Sequence, residues 1–176
     1  MNLSNPIELI VPIGVLNQKK QFKIHHNSSN HELLQLTKIL EIEELRSFSF
    51  KGQFIRSSKT DYELHSSFKA KLVQLCVVTL RPVKTKINHK FEQPFSVVKD
   101  ETEHKHLSFK YDAIDKEHIL NEVNIGDIML EALSLEIPLY PKIQGANFKG
   151  LTITKAGIKP LEVISNNPFN LLKKFR

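Results

Sequence analysis

Carboxylates are missing from the middle of this chain: none occurs between Glu63 and Glu92. Cysteine is almost missing as well, with Cys76 alone, and glycine is scarce at 6 of 176 residues. Each scarcity excludes something. One thiol cannot close an intramolecular disulfide, nor seed a tetrahedral zinc site that needs about four sulfur or imidazole ligands. The glycines form neither G-x-G-x-x-G nor G-x-x-x-x-G-K, so no backbone loop is built to cradle a nucleotide phosphate. No apolar run approaches the ~20 residues of a membrane helix, and Ile7 to Val11, interrupted by Glu8, is too short for a secretion signal. The expectation is a reduced, cytoplasmic protein without membrane attachment.

Catalytic and metal chemistry find no support either. The pairs His25-His26 and His104-x-His106 stand without H-E-x-x-H, Cys-x-x-Cys or a clustered carboxylate to complete a ligand set. Cys76, on a strand, reads as a small buried hydrophobe rather than a nucleophile, because a reactive thiol needs a depressed pKa and a suitable neighbour. No enzyme, no cofactor and no metal are expected.

What is present suffices for a folded domain. Hydrophobic residues make up 40% and charged residues 25% of 176 residues, and a single domain of this size buries roughly 70% of the surface of its unfolded chain. Strands are expected at Ile7 to Val11 and Gln21 to His25. Ser29 then opens a capping box with Glu32, followed by a helix whose Leu33, Leu36 and Leu40 form a stripe broadened by Leu34 and Ile39. Period-two alternation follows. Phe48, Phe50 and Phe54 share one strand face, and after a hairpin loop at Ser57 to Asp61 so do Tyr62, Leu64, Phe68, Ala70 and Leu72. The phenylalanines are expected in the core rather than as stacking platforms for bases.

From Leu72 to Leu80 both faces turn apolar, which predicts a central strand covered on both sides. A partner strand carries Ile87, Phe91, Phe95 and Val97, with Pro94 marking an edge or a bulge. Residues 99 to 124 read as a mobile loop with a strand-like Leu107, Phe109 and Tyr111. Asn124 and Asp127 cap a helix that buries Ile125, Ile128, Met129, Ala132 and Leu133. A strand at Leu151 to Thr154 and a last helix beginning at Pro168 complete the reading. The predicted fold is a single α+β domain over residues 1 to 176, a twisted antiparallel sheet curled toward a barrel and packed by two or three helices.

Charge is distributed unevenly over this plan. The carboxylate-free interval holds Lys69, Lys71, Arg81, Lys84, Lys86 and Lys90. Residues two apart on a strand point the same way, so Lys69 and Lys71 share a face, as do Lys84, Lys86 and Lys90. Such a face can track nucleic-acid phosphates, although lysines on a strand also discourage edge-to-edge aggregation. The sign reverses between Asp100 and Glu136, where ten carboxylates stand against Lys105, Lys110 and Lys116. That stretch is suited to a basic protein, not to phosphate.

Three sequence blocks add a family likeness. Cys76-Val77-Val78-Thr79-Leu80-Arg81-Pro82-Val83, then Asn124-Ile125-Gly126-Asp127 through Pro138-Leu139-Tyr140-Pro141, then Asn167-Pro168-Phe169-Asn170-Leu171-Leu172 follow one another in the chain. In this order they resemble the YceD family of large ribosomal RNA subunit accumulation proteins, in its alphaproteobacterial form. The resemblance implies a bacterial, non-enzymatic role in 23S ribosomal RNA accumulation and large-subunit assembly. Many members carry Cys-x-x-Cys where this chain has Cys76-Val77-Val78-Thr79, and an acidic residue where it has Arg81. The expected partner is ribosomal RNA or a large-subunit precursor, bound through the basic hairpin. The alternative is an adaptor whose acidic 100 to 136 stretch engages a basic ribosomal protein without touching RNA.

Overall fold

Alternating phenylalanines and a long carboxylate-free hairpin dictate a sheet with one dry and one wet side, and that sheet organises the molecule. The computed structural model describes residues 5–98 and 116–147. By its internal contacts the chain divides into a unit over Met1–Gln144 and another over Gly145–Arg176; the architecture that follows is that of the first. Its elements, among the described residues, are β1 (Ile10–Pro12), α1 (Ile13–Gln18), β2 (Gln21–Asn27), α2 (Asn30–Ile39), β3 (Glu44–Arg56), β4 (Asp61–Leu75), β5 (Pro82–Val97), β6 (Glu117–Ile119), β7 (Glu122–Asn124) and α3 (Ile125–Glu136).

The class is α+β, as the sequence predicts. One sheet has the order β2-β3-β4-β5-β6, antiparallel up to β5 and parallel between β5 and β6, while β1 and β7 form a separate antiparallel pair. The sheet does not close into a barrel. Closure would require β2 and β6, its two outermost strands, to meet, and β6 offers only the three residues Glu117–Ile119. Helices cover the inner face instead: Leu33 and Leu36 of α2 and Ile125, Ile128, Met129 and Leu133 of α3 join one core with Phe48, Phe50, Phe54, Tyr62, Leu64, Phe68, Leu72 and Phe95. Ring pairs tie neighbouring strands within it, with Phe48–Phe68 centroids 5.8 Å and Phe54–Phe95 centroids 5.7 Å apart.

The capping box at Ser29 is formed in both directions. The Ser29 hydroxyl accepts from the Glu32 backbone N–H at 3.3 Å, and the Glu32 carboxylate accepts from the Ser29 N–H at 2.6 Å. Replacing Ser29 with alanine should cost about 1 kcal/mol of stability, read as a lowered urea midpoint with an unchanged slope. The helix stripe is narrower than its leucine content suggests, because Leu34 points outward and is 65% exposed.

Other expectations need correction. The first strand is displaced to Ile10–Pro12, and a short helix that the sequence reading missed follows at once over Ile13–Gln18. β4 ends at Leu75, so residues 76–80 are a turn and not the end of a doubly covered strand. In that turn the Cys76 N–H donates to the Arg81 carbonyl at 2.8 Å and the Leu80 N–H donates to the Cys76 carbonyl at 2.9 Å. Val77 and Leu80 consequently face solvent. The stretch assigned to a mobile loop holds β6 and β7 in its latter part. The anticipated strand residues Leu107, Phe109 and Tyr111, the strand at 151 to 154 and the helix at Pro168 lie outside the described residues.

Helix α3 starts as anticipated, the Asn124 side chain accepting from the Asp127 N–H at 3.4 Å. Beyond its end the chain crosses back to the β4–β5 turn, where the Gln74 amide donates to the Pro138 carbonyl and the Val77 N–H to the Pro141 carbonyl, both at 2.9 Å. Among the described residues no helix is long and apolar enough to cross a membrane.

Candidate nucleic-acid interface

Strand register decides which lysines lie together. Phe54, Leu64 and Phe95 belong to the inner face, so their odd-for-even neighbours on β2, β3, β4 and β5 point to the outer one. Hydrogen-bonded pairing lines these up in rows that cross the sheet: Lys23, Gln53, His65 and Glu92; His25, Lys51, Ser67 and Lys90; Asn27, Ser49, Lys69 and Asn88; Ser47, Lys71 and Lys86. Lys84 follows opposite Val73. Neighbouring positions are roughly 4.8 Å apart between strands and about 6.8 Å apart along a strand.

Five of the six candidate residues therefore come together. Lys69, Lys71, Lys84, Lys86 and Lys90 are exposed on the same outer face. Arg81 is exposed but sits in the β4–β5 turn, outside the rows. Two lysines that the sequence reading did not select complete the surface: Lys23 on β2 and Lys51 on β3, both exposed. No sequence interval links them to the hairpin, and only the pairing register could have brought them in.

This face is positively charged without local compensation. Among the described residues, no carboxylate lies within ion-pair distance of any of its seven lysines, Lys23, Lys51, Lys69, Lys71, Lys84, Lys86 and Lys90. The carboxylates that share the face are engaged by other groups. Glu63 and Glu92 flank the ring of His65 at 3.3 Å and 2.9 Å, and Glu44 pairs with Arg46 at 2.8 Å. Lys71 and Lys86 stand directly opposite each other, an arrangement that is destabilising unless an anion neutralises it. Two shallow concavities open onto the same face: one of about 790 Å³ lined by Lys23, His25, Lys51, His65 and Lys90, and one of about 420 Å³ lined by Lys69, Lys71 and Lys86.

No phenylalanine, tyrosine or tryptophan is among the outward positions of the four rows, whose two rings are the imidazoles of His25 and His65. Phe48, Phe50 and Phe54 are core residues, as expected. His25 and His26 point to opposite faces of β2, and the described residues contain no group of three His, Cys, Asp or Glu side chains able to hold a metal ion. His104 and His106 lie outside the described residues, as does the acidic stretch before residue 116.

Three described acidic groups farther along are held by neighbouring side chains. Asp127 accepts from the side chains of Asn5 and Asn124, Glu136 pairs with His89 at 3.2 Å, and Glu117 accepts from the Gln93 amide. Burial, with help from the nearby Glu131 carboxylate, raises the Glu117 pKa. Glu122 and Glu131 are exposed and have no ion-pair partner among the described residues.

Cys76 is buried as expected, but in the turn after β4 rather than on a strand, and its surroundings are polar. The Thr79 hydroxyl and the backbone N–H of Ile143, the latter at 3.4 Å, donate to its sulfur and lower its pKa from 9.0 to about 6 against the opposing effect of burial. The folded-state value lies below the unfolded one, so this thiol adds stability that is complete above pH 9.0 and is lost as pH falls through about 6. The stability gap between the natural chain and Cys76→Ala should widen as pH rises across that window, as urea midpoints would record. A gap independent of pH would show that the thiol stays protonated.

Compared with protein-family models, with curated proteins and with solved structures, the chain matches none of them.

Proposed function

We propose that this chain is a YceD-type ribosome biogenesis factor, which supports 23S ribosomal RNA accumulation and large-subunit assembly without itself being an enzyme. It binds the RNA, or a precursor particle containing it, through the outer face of β2 to β5. One observation carries the reading. Seven lysines from four strands, Lys23, Lys51, Lys69, Lys71, Lys84, Lys86 and Lys90, converge on one face, and no described carboxylate pairs with them. The likeness of the three sequence blocks to the YceD family directs that general polyanion affinity toward ribosomal RNA.

Lysines on an exposed sheet also serve to prevent strand-to-strand aggregation, and among the described residues β5 has no partner on one side before Phe95. That purpose accounts for Lys84, Lys86 and Lys90, and for Lys23 on the edge strand β2, but not for Lys51, Lys69 and Lys71. β3 and β4 are interior strands, hydrogen-bonded on both sides.

Crosslinking the protein to RNA in living cells and sequencing what is attached tests the function. Enrichment of 23S ribosomal RNA over transfer and messenger RNA is the expected result. Recovery no higher than without crosslinking would reject it. So would retention of a basic ribosomal protein that persists after complete nuclease digestion while RNA crosslinks stay at background.

A further inference from the structure

We propose that the open face takes base-paired RNA, holding its phosphates and 2′-hydroxyls and leaving its bases unread. The inference rests on the nucleic-acid reading above and specifies the form of nucleic acid. Its starting point is what the face offers and what it lacks. Lysines alternate with short neutral polar side chains: Ser47, Ser49 and Gln53 on β3, Ser67 on β4, and Asn88 on β5. Ammonium groups serve phosphates, while hydroxyl and amide groups are of a size and chemistry to exchange hydrogen bonds with 2′-hydroxyls.

Missing from the rows is any phenylalanine, tyrosine or tryptophan on which a base could stack; their two rings are the imidazoles of His25 and His65, and that of His65 is held between Glu63 and Glu92. Sheet-based readers of single strands depend on such rings, each stacked base contributing about 1–3 kcal/mol. Here the phenylalanines of β3 and β4 are turned inward and buried. A single strand laid on this face would lose its conformational freedom and recover charge and hydrogen-bond contacts without the stacking that repays that loss. A duplex is already ordered and presents its phosphates at higher density, so it gains the same contacts at less entropic cost. A-form RNA suits an open polar surface further. Its shallow minor groove displays 2′-hydroxyls, whereas its deep major groove excludes side chains from the base edges.

The full chain can be titrated at fixed salt against four probes of equal length: an RNA hairpin stem, a second stem of scrambled sequence, an unstructured single-stranded RNA and a duplex DNA of matching sequence. The two stems should bind equally. Each should exceed the single strand and the duplex DNA by roughly tenfold, a factor that one or two good hydrogen bonds supply. Ser49→Ala combined with Ser67→Ala should narrow the RNA-to-DNA ratio while leaving the salt dependence unchanged. Single-stranded RNA binding as tightly as the stems would overturn the proposal, and so would equal binding of duplex DNA. Failure of every probe to bind would instead remove the nucleic-acid reading on which it rests.

Discussion

Reversing Lys84, Lys86 and Lys90 to glutamate together should weaken RNA binding by about two to three orders of magnitude near 0.1 M salt. The figure follows from counterion release. Each phosphate neutralised on a duplex adds about 0.9 to the slope of log affinity against log salt, so three lost contacts change the slope by about 2.7. Referred to 1 M salt, that difference amounts to roughly five hundredfold at 0.1 M, before the repulsion of three new carboxylates is added. Both the affinity and the slope should therefore fall, and a fall in affinity at unchanged slope would place the contacts elsewhere.

The fold should survive these changes. The three lysines are exposed and without carboxylate partners among the described residues, so no ion pair is broken. Lys86→Glu places opposite charge across from Lys71, and cross-strand pairs of opposite charge contribute roughly 0.2–1 kcal/mol where like charges oppose folding. Thermal midpoints equal to, or slightly above, that of the natural chain are expected. Arg81→Glu is the internal control. It lies near the same hairpin in sequence but outside the rows, and its effect should be several-fold smaller than that of Lys86→Glu.

How far the surface could be read in the sequence depends on the kind of signal involved. Local patterns carried through: the Ser29 capping box, the inward phenylalanines, the Ser57 to Asp61 hairpin loop and the Asn124 cap all involve residues a few positions apart. Lys69, Lys71, Lys84, Lys86 and Lys90 were legible for the same reason, because period two sets the face of each strand without knowledge of its neighbours. Lys23 and Lys51 were not. Their place on the face is fixed by pairing of β2 with β3 and of β3 with β4, which a single sequence does not display.

The errors have equally specific causes. The turn after β4 contains no glycine, asparagine or aspartate to announce it, and Leu80 adopts a positive φ of 55°, which a leucine seldom does. An apolar run therefore read as continued strand. β6 and β7 have three residues each and take their stability from pairing with β5 and β1, leaving no periodicity to detect. α1 has six residues and no side-chain cap, too little for a helical stripe to emerge.

Gly126→Ala should destabilise the protein by about 3 kcal/mol, which is at the upper end for overpacking. In an exposed helix the same change is stabilising by about 1 kcal/mol, since alanine has the better helix propensity. Packing reverses the sign here. A Cβ at position 126 would lie 1.9 Å from the carbonyl oxygen of Ile7 and 3.0 Å from its carbonyl carbon. Both are backbone atoms, so no side-chain rotation relieves the clash. The N-terminal segment cannot simply retreat, because Ile7 is itself 2% exposed in the core. It is also fastened on either side of the contact. The Asn5 amide donates to Asp127 at 3.0 Å, and the Ile125 N–H donates to the Leu9 carbonyl at 2.8 Å. Moving α3 away instead would unseat Ile125, Met129 and Leu133 from beneath the sheet. Urea denaturation of the variant should show the loss as a lowered midpoint. An unchanged or raised midpoint would mean that the N-terminal segment does not lie against the start of α3 as described.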